Sequence, residues 1–492
     1  MLFPILSFLI YLPLVGVLFL LFFKNRESDK MAVRVVGLVF ALMNFFLSLA
    51  MFLAFKPDQG GFQMLEQKIW LPSLDIGYRL GVDGLSIYFV LLTTFLTPLS
   101  MLASWRGIQY RVRDYMIAFL VLETVMVGCF VALDMFLFYI FFEAVLIPMF
   151  LIIGVWGGEN RIKASFKFFL YTLLGSVLML VALIAMTLMA GSSDLTLAME
   201  KDLPNYIPWS WQYILFFALL ASFAVKLPMW PVHTWLPDAH VEAPTGGSMI
   251  LAGILLKMGG YGFLRLTLPW LPDAASDFAP FIFVLSIIAV VWASMIALVQ
   301  DDMKKLIAYS SVAHMGIVTA GIFSGNAIGI MGAMLQMLAH GITSAGLFFG
   351  VGVLYDRSHS RQIDDYGGVM KKMPWFATMF FFITMSAIGL PATLGFLGEF
   401  VSVLGVYQEQ PLVALGLLLG MVLGAAYMLM LYKRVFFGKV NQQDNAVVKN
   451  LSDIDLREWL VFLPLVIVTL WFGIHSKLLT IYIEPVINNI LP

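Results

Sequence analysis

The sequence predicts an all-α polytopic membrane protein of about fourteen transmembrane helices, and three observations carry that prediction. Only 12% of the 492 residues are charged and 61% are hydrophobic, whereas an ordinary soluble domain carries about 25% charged residues. A soluble body of this size needs more polar surface than these side chains supply. Apolar runs of about 20 residues, the length that crosses a bilayer, recur along the chain. The basic residues between those runs are concentrated on alternate loops. Soluble, disordered, nucleic-acid-binding and disulfide-stapled classes are thereby excluded. The net charge of −1 offers no polybasic or polyacidic body to a partner, and the single cysteine, Cys129, cannot form an internal disulfide.

Charge-free runs cover 2–23, 35–55, 84–105, 168–193, 203–225, 278–300, 373–398 and 410–432. A longer run, 306–355, is broken at Ser324–Asn326 and reads as two helices. Three further spans hold one charge each: 115–133 with Glu123, 135–156 with Glu143, and 245–268 with Lys257. The shorter run 459–476 is the last span. The first run is expected to be a span and not a cleaved signal peptide, because it lacks a basic leading segment and is too long for a signal core. With these spans, 21 loop Lys and Arg residues fall on one side of the membrane. Five, namely Lys56, Lys68, Arg79, Lys201 and Arg265, fall on the other. The positive-inside rule puts the first set in the cytoplasm and both termini outside. A single miscounted helix would swap the sides midway and erase the asymmetry.

The ionisable residues inside the spans carry the functional signal. Lysine at a span centre costs about 2.5–3.5 kcal/mol on insertion scales, yet Lys226 and Lys257 lie within apolar surroundings, as do Glu123, Glu143, Glu399, His314 and His340. Counting along their spans puts Glu143, Lys257, His314 and His340 near the midplane. Lipid cannot solvate such groups, so they face the bundle interior or a water-filled cavity. An isolated intramembrane histidine can be a mere hydrogen-bond partner for a neighbouring helix, and a Lys–Glu pair can be a structural salt bridge. Seven such residues at similar depth are hard to explain by interhelical contacts alone.

Two spans are interrupted by proline. Span 7 reads AVKLPMWP, with Pro228 two residues after Lys226. Proline loses its own hydrogen bond and clashes with the carbonyl four residues back, here that of Ala224, which is then expected to be free to hydrate or to hold a cation. Span 12 reads AIGLPATLGFLGEF, with Pro391, three nearby glycines, and Glu399 in the second half-helix. Broken helices at corresponding positions of two halves point to a transport pathway; a simple kink filled by side chains is the alternative. Because spans 7 and 12 are five apart, the sequence suggests two inverted five-helix repeats, spans 4–8 and 9–13. The expected division is 1–112 for spans 1–3, 113–270 for the first repeat, 271–440 for the second, and 441–492 for the last span.

The segments FFEAVLIPM, AVKLPMWPVHTWLPDAHVEAPTGGSMILAGILLKMGGYGFLR, QDDMKKLIAYSSVAHMG and LPATLGFLGEF resemble the antiporter-like subunits of respiratory complex I, over roughly residues 80–440. Related subunits occur in multisubunit cation/proton antiporters. Of three paralogues in complex I, the resemblance favours the one with an acidic residue on span 12 and no long lateral helix after the last span. The resemblance implies that Glu143 and Lys226 form a coupled carboxylate–lysine pair and that Lys257 is the central proton carrier. It further implies that His314 and His340 belong to a connecting relay, that Glu399 is the terminal carrier, and that Glu123 is a second acidic position.

The implied function is proton translocation in a redox enzyme, with the chain itself a non-redox subunit; a subunit of a sodium/proton antiporter is the alternative, and a membrane scaffold a weaker third. The chain has no cysteine cluster, no G-x-G-x-x-G turn after a strand and no Walker loop. It is therefore expected to hold no cofactor or metal, and the resemblance implies FMN, iron–sulfur clusters and quinone in partner subunits. Haem ligation by His314 and His340 would leave the lysines and broken helices unexplained. His233 and His240, seven apart near Asp238 and Glu242, suit either a metal site or a hydrogen-bonded loop lining the proton inlet. The expected partners are neighbouring antiporter-like subunits on either side, the lipid bilayer and protons, with no nucleic acid. The expected location is a bacterial inner membrane or, alternatively, the mitochondrial inner membrane.

Overall fold

A computed structural model describes residues 4–199, 207–437, 448 and 451–490. The loop cations Lys201, Lys439 and Lys449 lie outside the described residues, as do the first residues of the runs beginning at 2 and 203 and parts of the segment 441–492. The helices in order are α1 (Ile5–Leu21), α2 (Lys30–Ala54), α3 (Ser86–Ala103), α4 (Val112–Val131), α5 (Met135–Ala144), α6 (Leu146–Trp156) and α7 (Arg161–Ala190). There follow α8 (Trp209–Lys226), α9 (Trp235–Glu242), α10 (Thr245–Trp270), α11 (Ala279–Leu298), α12 (Met303–Ile322) and α13 (Ala327–Ser358). The last are α14 (Pro374–Ala387), α15 (Leu394–Glu409), α16 (Pro411–Tyr432), α17 (Leu456–Ile474) and α18 (Lys477–Ile490). Among the described residues, eleven helical stretches are long and apolar enough to cross a membrane, α5 and α6 together counting as one. The helices α1 and α14 are shorter and apolar, while α12 and α15 lie where the sequence places span 10 and the second half of span 12.

Burial sorts the helices into centre and periphery. The most apolar windows of α10 and α13 are fully buried, whereas those of α2, α16 and α17 are no more than a third buried. Both central helices are rich in glycine, and small residues let neighbouring backbones approach closely where lipid supplies no hydrophobic drive between helices. Gly332 on α13 meets the backbone of Ser402 on α15 in this way, and Gly398 on α15 faces α13 across the same crossing. A side chain at Gly398 would start 2.5 Å from the Cα of Gln336 on α13.

Local sequence explains where helices start and break. Asp134 caps α5 by accepting from the amides of Phe136 and Leu137, and Asp302 caps α12 by accepting from those of Lys304 and Lys305. The two caps share a further pattern. Asp134 bridges Asp194, with Met135 N donating to Ser193 O and Leu195 N to Leu133 O. Asp302 likewise bridges Gln362, with Met303 N donating to Arg361 O and Ile363 N to Asp301 O.

The structure departs from the sequence reading in several places. Span 5 is broken at Val145, between α5 and α6; Pro148 clashes with the carbonyl of Ala144, four residues back. The helix α10 contains two π turns, Leu251–Leu255 and Phe263–Thr267, one on each side of Lys257. The segment before α3 is an antiparallel hairpin, β1 (Gln63–Leu71) with β2 (Ile76–Val82), whose Glu66 accepts from the amides of Leu6 and Ser7 at the start of α1. After α17 the chain continues into the amphipathic α18, whose Leu478 carbonyl accepts from the Tyr88 hydroxyl at 2.6 Å.

Two further expectations are corrected. The carbonyl of Ala224 is not free. The amide of Met229 donates to it at 2.8 Å, and the Trp235 indole covers the next carbonyl, Val225, at 2.9 Å. Arg265 is no loop cation but a buried residue of α10 paired with Asp83.

Candidate functional site

Four of the sequence-predicted residues form one line through the middle of the bundle. Lys257 is fully buried; its Nζ lies 2.7 Å from Nδ1 of His340 and donates to Ala252 O at 2.5 Å. That carbonyl belongs to the first π turn, which opens the regular hydrogen-bond ladder of α10; such turns occur frequently at functional sites. The rings of His340 and His314 are 5.7 Å apart. Nδ1 of His314 then meets Oε1 of Glu399 at 2.6 Å, with 3% of the Glu399 side chain exposed. The line thus runs from α10 through α13 and α12 to α15.

The other predicted residues are placed differently. Lys226 is the last residue of α8 and is buried, with Nζ 4.4 Å from the centre of the Phe142 ring and 3.3 Å from Phe142 O. Glu143, the next residue along from Phe142, lies within electrostatic reach of Lys226, but the two form no ion pair within 4.0 Å. Its Oε1 is buried without a hydrogen-bond partner, and Ser176 of α7 lies beside it. Glu123 stands off this line. It is fully buried on α4 and accepts from Asn44 of α2 at 2.9 Å, with its other oxygen unpartnered.

His233 and His240 do not come together as ligands. The His233 ring packs edge-on against Trp292, and the His240 ring stacks on Phe348 with its centre 4.3 Å away. Both nitrogens of His240 are buried without a partner, and Lys257 and Lys304 lie within electrostatic reach. Lys304 donates to Ala243 O at 2.7 Å and lines a cavity of about 480 Å³ with Glu242, Asp356, Arg361 and others. This cavity opens among the loops that carry most of the basic residues.

Sequence reasoning missed Gln336. Its Nε2 lies 3.3 Å from both His314 Nδ1 and Glu399 Oε1. The signal was present: a lone amide in an apolar run, four residues before His340 and so on the same helical face. The buried Asp83–Arg265 pair was also missed, because its members are far apart in sequence.

A family model described as "NADH:quinone oxidoreductase/Mrp antiporter, TM" matches residues 132–424, more than half of the chain. The chain belongs to this family. The matched stretch contains Glu143, Lys226, Lys257, His314, Gln336, His340 and Glu399 but not Glu123. Among its relatives, NADH-quinone oxidoreductase subunit M of Rhodobacter capsulatus is 51% identical, over 99% of this chain and 96% of the relative. NADH-ubiquinone oxidoreductase chain 4 of Arabidopsis thaliana is 47% identical, over 99% and 97%. A chain in the structure of respiratory complex I from Thermus thermophilus with bound NADH superposes with a TM-score of 0.88 at 29% identity, covering 99% of this chain and 100% of that one. A chain of the Mrp complex from Dietzia sp. DQ12-45-1b, 20% identical, shares the fold with a TM-score of 0.84, over 99% of this chain and 52% of that one.

Proposed function

We propose that this chain is a proton-translocating, non-redox membrane subunit of an NADH:quinone oxidoreductase, the counterpart of subunit M in bacteria and chain 4 in mitochondria. The observation that carries the reading is the buried line Lys257–His340–His314–Glu399, a sequence of proton-holding groups along the centre of a membrane bundle. FMN, iron–sulfur clusters and quinone belong to partner subunits, and neighbouring antiporter-like subunits flank the chain in a bacterial or mitochondrial inner membrane. The chain crosses the membrane fourteen times with both termini outside. Residues 1–112 precede two inverted repeats, 113–270 and 271–440, and residues 441–492 supply the last span. The matching Asp134 and Asp302 caps support the repeats.

In this reading, a signal from quinone reduction changes the separation of Glu143 and Lys226. Two unit charges 4 Å apart interact by about 4 kcal/mol at an effective dielectric of 20, so opening or closing the pair alters how firmly Lys226 holds its proton. The proton moves toward Lys257, passes His340 and His314, reaches Glu399 and leaves on the outer side. The cavity beside Lys304 supplies protons from the cytoplasmic side, with His240 within electrostatic reach of both Lys304 and Lys257. Glu123, buried on α4 and bonded to Asn44, is a further acidic group of the relay that lies off this line.

The homology to subunit M and chain 4 over nearly the whole chain favours this reading over a sodium/proton antiporter subunit. Copurification with flavin and NADH oxidation activity is expected; copurification with antiporter subunits and no flavin would overturn it. For the mechanism, Lys226→Ala is expected to abolish NADH-driven proton uptake into inverted vesicles while the complex assembles and NADH oxidation by a soluble acceptor persists. Normal pumping by the assembled variant would remove Lys226 from the route.

A further inference from the structure

We infer that Gln336 is the positioning residue for the last proton transfer, holding the Glu399 carboxylate against His314. The inference rests on the relay reading above and concerns a residue which that reading does not use.

The geometry separates two superficially equal contacts. Nε2 of Gln336 is 3.3 Å from both His314 Nδ1 and Glu399 Oε1. A ring nitrogen has a single in-plane position for a proton or a lone pair. At His314 Nδ1 that position is taken by the 2.6 Å contact with Glu399. A carboxylate oxygen has room for two donors, so the amide of Gln336 bonds to Glu399 Oε1 beside the histidine. The amide orientation follows, since the flipped side chain would set its oxygen against the carboxylate. This bond survives whichever partner holds the shared proton. It is stronger when Glu399 is ionised, because hydrogen bonds to charged acceptors are the stronger kind. Gln336 therefore keeps Oε1 of Glu399 aligned with His314 Nδ1 before and after the transfer. In the transfer itself, the N–H bond at His314 Nδ1 breaks and an O–H bond forms at Glu399 Oε1, leaving neutral imidazole and neutral acid, with no electron exchanged.

Two further observations fit a built site. Gly398, the residue before Glu399, brings the backbones of α13 and α15 into direct contact at Gln336, so the positions of the amide and the acid are fixed by the same crossing. Oε1 of Gln336 and Nε2 of His340 are both buried without a partner. Both residues line one cavity of about 10 Å³, with His314, Ser310 and Ser386. That is about the room one water needs. Gln336 thus faces both ends of the His340–His314 step.

The test uses the intact complex in liposomes. Gln336→Met keeps the length and shape of the side chain and removes the amide. Assembly is checked by subunit content and NADH oxidation with a soluble acceptor. Coupled turnover and proton uptake are expected to fall about tenfold, the effect of losing a hydrogen bond to a charged group, with KM for NADH and for quinone unchanged. Added to Glu399→Gln, the substitution is expected to cause no further loss, because residues acting through one another are non-additive. Wild-type pumping by Gln336→Met overturns the inference, and so do losses that multiply in the double variant. If Gln336→Met fails to assemble, Gln336→Glu, of the same shape but with an oxygen facing Glu399, decides: wild-type pumping overturns the inference and a comparable loss supports it. Lys257→Met separates the two levels. If it pumps normally, the relay reading itself fails; if it is inactive while Gln336→Met is normal, only the role of Gln336 fails.

Discussion

The two halves of the proposed proton route are built on opposite principles. On the α8 side, Lys226 rests on an aromatic face and a carbonyl while Glu143 keeps an oxygen without a hydrogen bond, the two acting on each other without contact. On the α15 side, His314, Gln336 and Glu399 are within hydrogen-bond distance of one another. The first half suits a field that changes with small movements, since Coulomb energy varies smoothly with separation. The second suits proton hand-over, which needs short and directed contacts. In that proposal Lys257 and His340, on the two most deeply buried helices, are the joint between them.

The largest expected effect comes from cutting that joint. Lys257→Met should abolish proton uptake while leaving the thermal stability of the complex nearly unchanged, because the relieved burial cost of the amine offsets the hydrogen bonds lost at His340 and Ala252. A marked fall in melting temperature would show that Lys257 holds the bundle together and does not merely join the halves. Shortening each acid by one methylene sharpens the contrast. Glu399→Asp withdraws the carboxylate from a 2.6 Å contact and should lower pumping about tenfold. Glu143→Asp changes only a distance already beyond contact and should lower it about twofold. Equal losses in the two variants, measured as protons taken up per NADH oxidised, would erase the distinction between field and hand-over. The smallest effect is expected at the bundle surface. Lys167 pairs with Asp238 at 2.7 Å, but 47% of the Asp238 side chain is exposed, and such pairs contribute about 0–1 kcal/mol. Lys167→Ala should leave pumping within about twofold of the unaltered complex, and a larger loss would extend the sensitive region to the bundle surface.

What the sequence disclosed follows from the cost of charge in lipid. Any Lys or Glu in an apolar run stands out, so Glu143, Lys226, Lys257 and Glu399 were legible from composition alone, and His314 and His340 nearly so. Gln336 carries no charge and was passed over, although its spacing from His340 placed it on the same face. The proline rule located the breaks of spans 7 and 12 but was not applied to Pro148, which breaks span 5 beside Glu143. It also misjudged Ala224, whose carbonyl is recaptured by Met229 once the chain turns. The hairpin 63–82 was read as loop because strands of nine and seven residues are far shorter than the apolar runs that mark spans. The π turns of α10 leave no residue pattern, since they are visible only in which amide meets which carbonyl.

Those π turns bear on how the family can vary in length. A π turn holds one residue more than the α turn it replaces, so it absorbs an insertion without rotating the helix beyond it. Removing one residue from Leu251–Leu255 would leave Lys257 still directed at His340 and take away only the opened turn whose Ala252 carbonyl receives the ammonium group. A relative with a one-residue gap here would therefore keep the lysine and its histidine but hold the lysine nitrogen in a less polar seat.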